Sequence, residues 1–230
     1  KYKEEINTTG GELLFNTFGG DGFKSNFIKN IASDKYNEHV NDDSFFYFLY
    51  SLFHSLEYRG RFANNLVKDL PRIPLPNTFS TFDIMSNAGQ KLFALHADFN
   101  CVEKYEVQIK EGDLRLTHVE DPKSFFRVEK MKFSKKDDKS SVIYNKNITI
   151  KNVPLEAYEY VVNGKPALEW VMERQCVKTD KASGIVNDAN DYANETMNNP
   201  AYPLELFQRI ITVSLETMKI VKSLPKLDIN

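Results

Sequence analysis

The chain has 230 residues, 41% hydrophobic and 27% charged, a composition that supports a real core and excludes an intrinsically disordered segment. A net charge of −2 excludes a uniformly basic nucleic-acid binder. Two cysteines, Cys101 and Cys176, exclude a disulfide framework and fit a reducing cytoplasm, and the longest apolar run, Phe45 to Phe53, is far short of the ~20 residues of a membrane-spanning helix.

In chain order, residues 12–18 (ELLFNTF) predict a short strand, stopped by Gly19-Gly20-Asp21-Gly22. A helix is expected over 24–35, with Phe27, Ile28 and Ile31 on one side. Asp42, Asp43 and Ser44 are N-cap types ahead of FFYFLYSLF, which is apolar nearly all round and predicts a buried helix. Ser55 opens a further helix in which Tyr58, Phe62 and Leu66 recur every four residues, ending before Pro71. Pro71, Pro74 and Pro76 make a stiff connector to a helix from about Ser80 to His96, with Ile84, Ala88, Leu92 and Leu95 as its stripe.

The period then changes from 3.6 to 2. Residues 104–110, 113–119, 125–133, 141–145 and 147–153 read as strands, with turns at Gly112-Asp113 and Asn145-Lys146-Asn147. Asn163-Gly164 turns the chain into a helix with Pro166 at its first position. Residues 178–202 are polar and loop-like, and Pro203 to Leu224 is a long amphipathic helix carrying Leu206, Ile210, Val213, Leu215, Met218 and Val221. The fold class is therefore α+β: N-terminal helices, a central antiparallel sheet and C-terminal helices including a long final one. These form one domain over 1–230, helical over about 24–98, mainly β over 103–162 and helical again over 166–225.

Charge is uneven. Between Lys123 and Lys151 nine basic residues stand against three acids, a local charge of +6 on a chain that totals −2. Residues 125–133 alternate, with Phe126, Val128, Lys130 and Lys132 on one face and Phe125, Arg127, Glu129, Met131 and Phe133 on the other, and lead into a charged tip over Ser134–Lys139. Arg127, Lys130, Lys132, Lys135, Lys136 and Lys139 are candidate DNA-backbone contacts, since lysines at a hairpin end suit phosphates. The same lysines equally suit an edge strand defended against pairing. A second candidate set lies in the polar loop: Lys178, Thr179, Lys181, Ser183 and Asn187 are of the types that contact phosphates and base edges. They are also of the types that fix a loop through its own turns.

Two fragments imitate an adenine methyltransferase. Phe18-Gly19-Gly20-Asp21-Gly22 fits the F-x-G-x-G pattern around S-adenosylmethionine, and Asn199-Pro200-Ala201-Tyr202 nearly fits N-P-P-Y, whose aromatic stacks on a flipped base. Ala201 replaces the second proline, and no alternating β-α series joins the fragments, so both read as chance. His39, His54, His96 and His118 show no metal-ligand spacing and read as packed or exposed imidazoles. No catalytic residue, cofactor site or metal site is expected.

Three stretches carry a family resemblance: Leu52-Phe53-His54-Ser55-Leu56-Glu57-Tyr58-Arg59 through Leu70-Pro71-Arg72-Ile73-Pro74; Val162-Asn163-Gly164-Lys165-Pro166-Ala167-Leu168-Glu169-Trp170; and Lys178-Thr179-Asp180-Lys181 to Asn187-Asp188. In this order they resemble the C-terminal specificity domain of Type ISP single-polypeptide restriction–modification enzymes and of relatives described as helicases. Leu56 and Ala189 stand where that family has proline. The resemblance implies a non-catalytic piece of a larger protein, recognising double-stranded DNA beside an upstream adenine methyltransferase, nuclease and ATP-dependent translocase on the same polypeptide. S-adenosylmethionine, ATP and Mg²⁺ would then belong to those other parts. The alternatives are a stand-alone S-adenosylmethionine-dependent methyltransferase and a protein-interaction scaffold, neither involving a membrane.

Overall fold

A computed structural model describes residues 25–68, 71–114 and 118–228; the expected strand at 12–18 and the glycine turn after it lie outside them. The chain divides into two compact units, one reaching to Ala97 and resuming at Lys219, the other Asp98–Met218. The class is α+β, with helices first, an antiparallel sheet after them and a long helix at the end.

In the first unit, α1 (Ser25–Tyr36) is followed by α2 (Asp42–His54). Ile31, expected on the inner side of α1, is exposed, and Ala32 is buried instead. The cap of α2 is Asn41 rather than the residues after it. Its side chain accepts the Ser44 N–H at 2.7 Å, and Asp42 and Asp43 fall in the first turn, where they complement the helix dipole. α2 buries Phe45, Phe46, Phe48 and Leu52. Ser55 caps α3 (Leu56–Arg61), accepting the Tyr58 N–H. Leu56 is then the first helical residue, a position that favours proline but does not require it. The single helix expected through Leu66 breaks at Phe62 (φ −107, ψ 17), and α4 (Ala63–Lys68) continues from there. Tyr58 is fully buried, while Phe62 and Leu66 pack half-buried on the same core. The proline connector lacks donors, and side chains fasten its carbonyls. Tyr58 donates to Arg72 O at 2.6 Å, Lys35 to Leu75 O at 3.1 Å and Tyr36 to Pro76 O at 2.7 Å.

α5 (Phe79–Ala97) packs on α2 through a face displaced from the expected stripe. Its buried residues are Phe82, Met85, Ser86, Gly89 and Leu92, whereas Ile84 is 50% exposed. Small residues decide the rotation. A Cβ on Gly89 would lie 1.8 Å from the Tyr47 carbonyl oxygen, and Ser86 donates to Ser44 O at 2.9 Å. The backbones approach too closely there for a larger side chain. His54 and His96 lie beside this packing with ring centroids 5.3 Å apart. Burial holds the His54 imidazole below its ordinary value, and burial together with His54 pushes His96 down to about 4, so both are packed neutral rings. Among the described residues no group of three or more His, Cys, Asp or Glu is placed to hold a metal, and no helix is long and apolar enough to cross a membrane.

In the second unit, β1 (Gln108–Ile109), β2 (Lys132–Lys135), β3 (Asp138–Ile143) and β4 (Thr149–Lys151) form an antiparallel sheet in the order β1-β4-β3-β2. The strand expected over 125–133 starts late. Asp121 caps a short helix α6 (Pro122–Phe126), Arg127 to Met131 run irregularly, and both Val128 and Met131 are buried, which breaks the expected alternation. β5 (Val161–Val162) and β6 (Lys165–Pro166) form a two-residue hairpin in which Asn163 (φ 49) and Gly164 (φ 78) supply the positive φ angles of a type I′ turn. α7 (Ala167–Arg174) follows. The segment expected to be a loop is a second hairpin, β7 (Val177–Thr179) with β8 (Val186–Asp188), then helical turns at Ala189–Asp191 and Tyr192–Thr196. α8 (Tyr202–Lys222) closes the chain, with Phe207 and Ile211, missing from the expected stripe, buried as deeply as any residue on it.

Gly89→Ala and Gly60→Ala are the same substitution in two helices, but nothing lies within 4 Å of a Cβ at Gly60. Chemical denaturation is expected to show Gly89→Ala destabilised by about 3 kcal/mol through overpacking. Gly60→Ala is expected to gain roughly 0.5 kcal/mol from helix propensity.

Candidate nucleic-acid interface

The end of α6 and the irregular segment before β2 together have five consecutive carbonyls outside any strand ladder, Phe125 to Glu129, and each finds a donor. Phe125 O accepts from the Asn145 and Asn147 side chains at 2.9 and 3.1 Å, Phe126 O from Tyr144 Oη at 2.7 Å, and Arg127 O from Asn145 at 2.9 Å. Val128 O accepts from Asn190 Nδ2 at 3.0 Å, while Asn190 Oδ1 takes the Val128 N–H at 2.9 Å. Glu129 O accepts the Val177 N–H at 3.0 Å. A buried side-chain amide thus replaces a neighbouring strand at Val128, and β7 takes over one residue later.

This arrangement seats the β7–β8 hairpin. Asp188, opposite Val177 at the base, receives Arg127 Nη2 at 2.7 Å, and Arg127 Nε bonds Glu129 at 2.7 Å. Burial alone would raise the Asp188 carboxyl; hydrogen bonds from Asn190 and Arg127 outweigh it and hold the group below its ordinary value. Asp188 also caps the helical turn that begins at Ala189, again a first helical position that tolerates proline or alanine. The hairpin tip is locked by Asp180, whose Oδ1 accepts from Ala182 N, Ser183 N and Ser183 Oγ at 3.0, 2.8 and 2.9 Å. Asp180 N donates to Ile185 O, Gly184 N to Asp180 O, and Gly184 takes φ +71 to close the loop.

The structure sorts the candidate residues by what they touch. Arg127 and Lys139 are engaged within the fold. Lys139 bonds Glu169 at 2.7 Å and sits over the Phe133 and Tyr158 rings at 5.8 and 5.4 Å. Ser183 spends its hydroxyl proton on Asp180 and shapes the loop. Lys135 stands opposite Asp138 across the β2–β3 hairpin, whose tip is only Lys136-Asp137. Lys130, Lys132 and Lys136 are exposed and make no ion pair among the described residues. Lys178, Thr179, Lys181 and Asn187 are exposed on the second hairpin, with Lys178 directly opposite Asn187 and Thr179 opposite Val186. The contacts at Arg127, Glu129 and Val177 bring Lys130 to the base of that hairpin. Lys135 and Lys136 lie at the other end of β2, and Lys139, on β3 beside them, reaches Glu169 in the first turn of α7. What sequence reading missed is Asn190, since nothing in a D-A-N-D run marks one amide as buried.

The methyltransferase-like tetrapeptide is a turn into α8. Asn199 Oδ1 accepts the Ala201 N–H at 3.0 Å, and the Tyr202 ring is 5% exposed with its hydroxyl donating to Asn100 at 3.1 Å. That ring is not free to stack on a base. Cys101 and Cys176 are free thiols.

Residues 8–206 match the family model of the Type ISP C-terminal specificity domain. Among solved structures, the ATP-dependent Type ISP restriction–modification enzyme LlaBIII bound to DNA is 35% identical, with a TM-score of 0.72 over 83% of this chain and 12% of that one. A nuclease-deletion mutant of the Type ISP enzyme LlaGI in complex with a DNA substrate mimic is 40% identical, with a TM-score of 0.71 over 84% of this chain and 14% of that one. The DrdV–DNA complex, at 24% identity and a TM-score of 0.67 over 87% of this chain and 20% of that one, shares the fold. The chain thus spans less than a fifth of the two Type ISP enzymes it matches. No curated protein matches it.

Asn190→Ala leaves the buried Val128 N–H and C=O without partners and is expected to cost about 3 kcal/mol in chemical denaturation. Because the Asp188 carboxyl is held low in the fold, the stability it contributes is present above the ordinary aspartate value and is lost as pH falls below about 4 through the folded-state value. Unfolding of Asp188→Asn, followed against pH, is expected to lose less stability in that acid window than the unaltered chain.

Proposed function

The chain belongs to the Type ISP C-terminal specificity domain family, and from that premise we propose that it is the DNA target-recognition part of a larger restriction–modification enzyme. It grips double-stranded DNA and reads an asymmetric site while an upstream methyltransferase of the same polypeptide acts on adenine. The nuclease and ATP-dependent translocase, with the S-adenosylmethionine, ATP and Mg²⁺ that the parent uses, lie elsewhere in that polypeptide. This chain supplies no catalytic group and works in the cytoplasm. The observation that carries the reading is the set of exposed lysines, Lys130, Lys132, Lys136 and Lys181 in no ion pair among the described residues, with Lys178 exposed near the Glu173 and Asp180 carboxylates, on a chain whose total charge is negative. Unpaired positive charge gathered on one unit of an acidic chain suits a polyanion.

One observation favours a second reading. β2 is an edge strand, and lysines on it would keep a scaffold domain from pairing with other sheets. Salt dependence separates the two. Duplex binding by the chain and by a Lys132→Ala, Lys135→Ala, Lys136→Ala variant is measured across salt concentrations. If the three lysines meet phosphates, the slope of log affinity against log salt flattens by about 2.7 in the variant. Affinity for unrelated duplexes falls in step, because phosphate contacts carry no sequence information. An unchanged slope and affinity would identify the lysines as edge protection.

A further inference from the structure

Within the hairpin that carries Lys178 and Lys181, the apolar residues beyond the base, Ile185 and Val186, are on the outside. Val186 is 58% exposed, and Thr179 stands directly opposite it across the ribbon, exposed as well. Directly paired residues project from the same face with Cβ atoms roughly 5 Å apart, so the two side chains present adjoining methyl groups to the outside. At the base of the same face, Val177 is half-buried and Asp188 is held by Arg127. The fold uses this face only where it is anchored. A merely structural ribbon would carry polar residues at its outer pair.

We infer that Thr179 and Val186 are specificity determinants that contact the 5-methyl group of a thymine in the major groove. The inference rests on the DNA-recognition reading above and adds the base group recognised. Three observations support it. A two-stranded ribbon is one of the elements the major groove admits, and thymine is there distinguished from the other bases by its methyl group, which apolar side chains and threonine methyls contact. The ribbon is hydrogen-bonded at both ends. Its base is fixed by the Arg127–Asp188 pair and the Val177–Glu129 bond, and its tip by the three bonds to Asp180, so the methyl pair is held in place before any ligand arrives. The other exposed polar groups of the hairpin, Lys178 and Asn187 on the opposite face and Lys181 at the tip, are cations or an amide donor and make no salt bridge among the described residues, which suits a polyanion rather than an apolar protein surface.

The test is a cycle between protein and DNA. The chain is used to select duplexes from a randomised pool, and each thymine of the selected site is replaced in turn by deoxyuridine, which removes the 5-methyl group alone. At one position this is expected to weaken binding about four-fold, the factor for one buried methyl group. Val186→Ala is expected to weaken binding to the thymine duplex by a similar factor and to be insensitive to the uracil replacement at that position. Thr179→Ser, which removes a methyl and keeps the hydroxyl, is expected to behave alike, and both variants should melt as the unaltered chain does. If the protein and DNA changes weaken binding independently at every position, or no uracil replacement matters, the methyl contact is wrong while the DNA reading stands. If the unaltered chain selects no duplex at all, both are overturned.

Discussion

Five carbonyls in a row, from Phe125 to Glu129, cannot be left without donors inside a folded unit, and the second unit is organised around meeting that demand. The turn after β3 supplies Tyr144, Asn145 and Asn147; the helical turn after β8 supplies Asn190; β7 supplies its first N–H. The donors come from three different stretches of sequence, so satisfying the end of α6 and the irregular residues after it fixes all three. The β7–β8 hairpin owes its position to this. It has only three paired positions, too few for a two-stranded ribbon to hold by itself, and its base is bonded to the segment it helps to satisfy.

The same constraint sorts charge into structural and available groups. Arg127 and Lys139 belong to the basic run by sequence, yet each is drawn inward by carboxylates, Asp188 and Glu129 for one and Glu169 for the other. The lysines left outside fall into two places, along β2 and on the second hairpin, and the backbone link from Glu129 to Val177 joins them. A positive count along the chain says where cations are, and the carboxylates brought alongside by folding say which of them are free to meet a partner.

How much was legible in the sequence follows from what each signal encodes. Caps, prolines and positive-φ pairs act over a few residues, so the Ser55 start, the Asn163-Gly164 turn and the proline connector could be read directly, whereas Pro166, expected as the first helical residue, ends the short strand β6 and is the cap before Ala167. The stripe of α5 could not, because its contact line runs through Ser86 and Gly89, which no hydrophobic count marks; only the approach of the Tyr47 carbonyl gives them their role. The 178–188 hairpin was hidden for a related reason. Its strands are three residues long and mostly polar, and its pairing is secured by Asp180 at one end and by Arg127, some sixty residues away, at the other. The candidate residues were legible as types. Their division into engaged and outward groups was not, since it depends on partners distant in sequence. Leu56 and Ala189 show the converse: each departs from the family's proline, and each proves to be a first helical residue where several side chains serve.

Amide hydrogen exchange of the chain, with and without a duplex it binds, bears most directly on the proposal that the second unit carries the DNA-contacting surface. Slowed exchange is expected along Lys130–Lys135 and Val177–Asp188, with α2 and α5 of the first unit unchanged. Slowed exchange confined to α2 and α5, with both lysine-bearing segments unaffected, would contradict it.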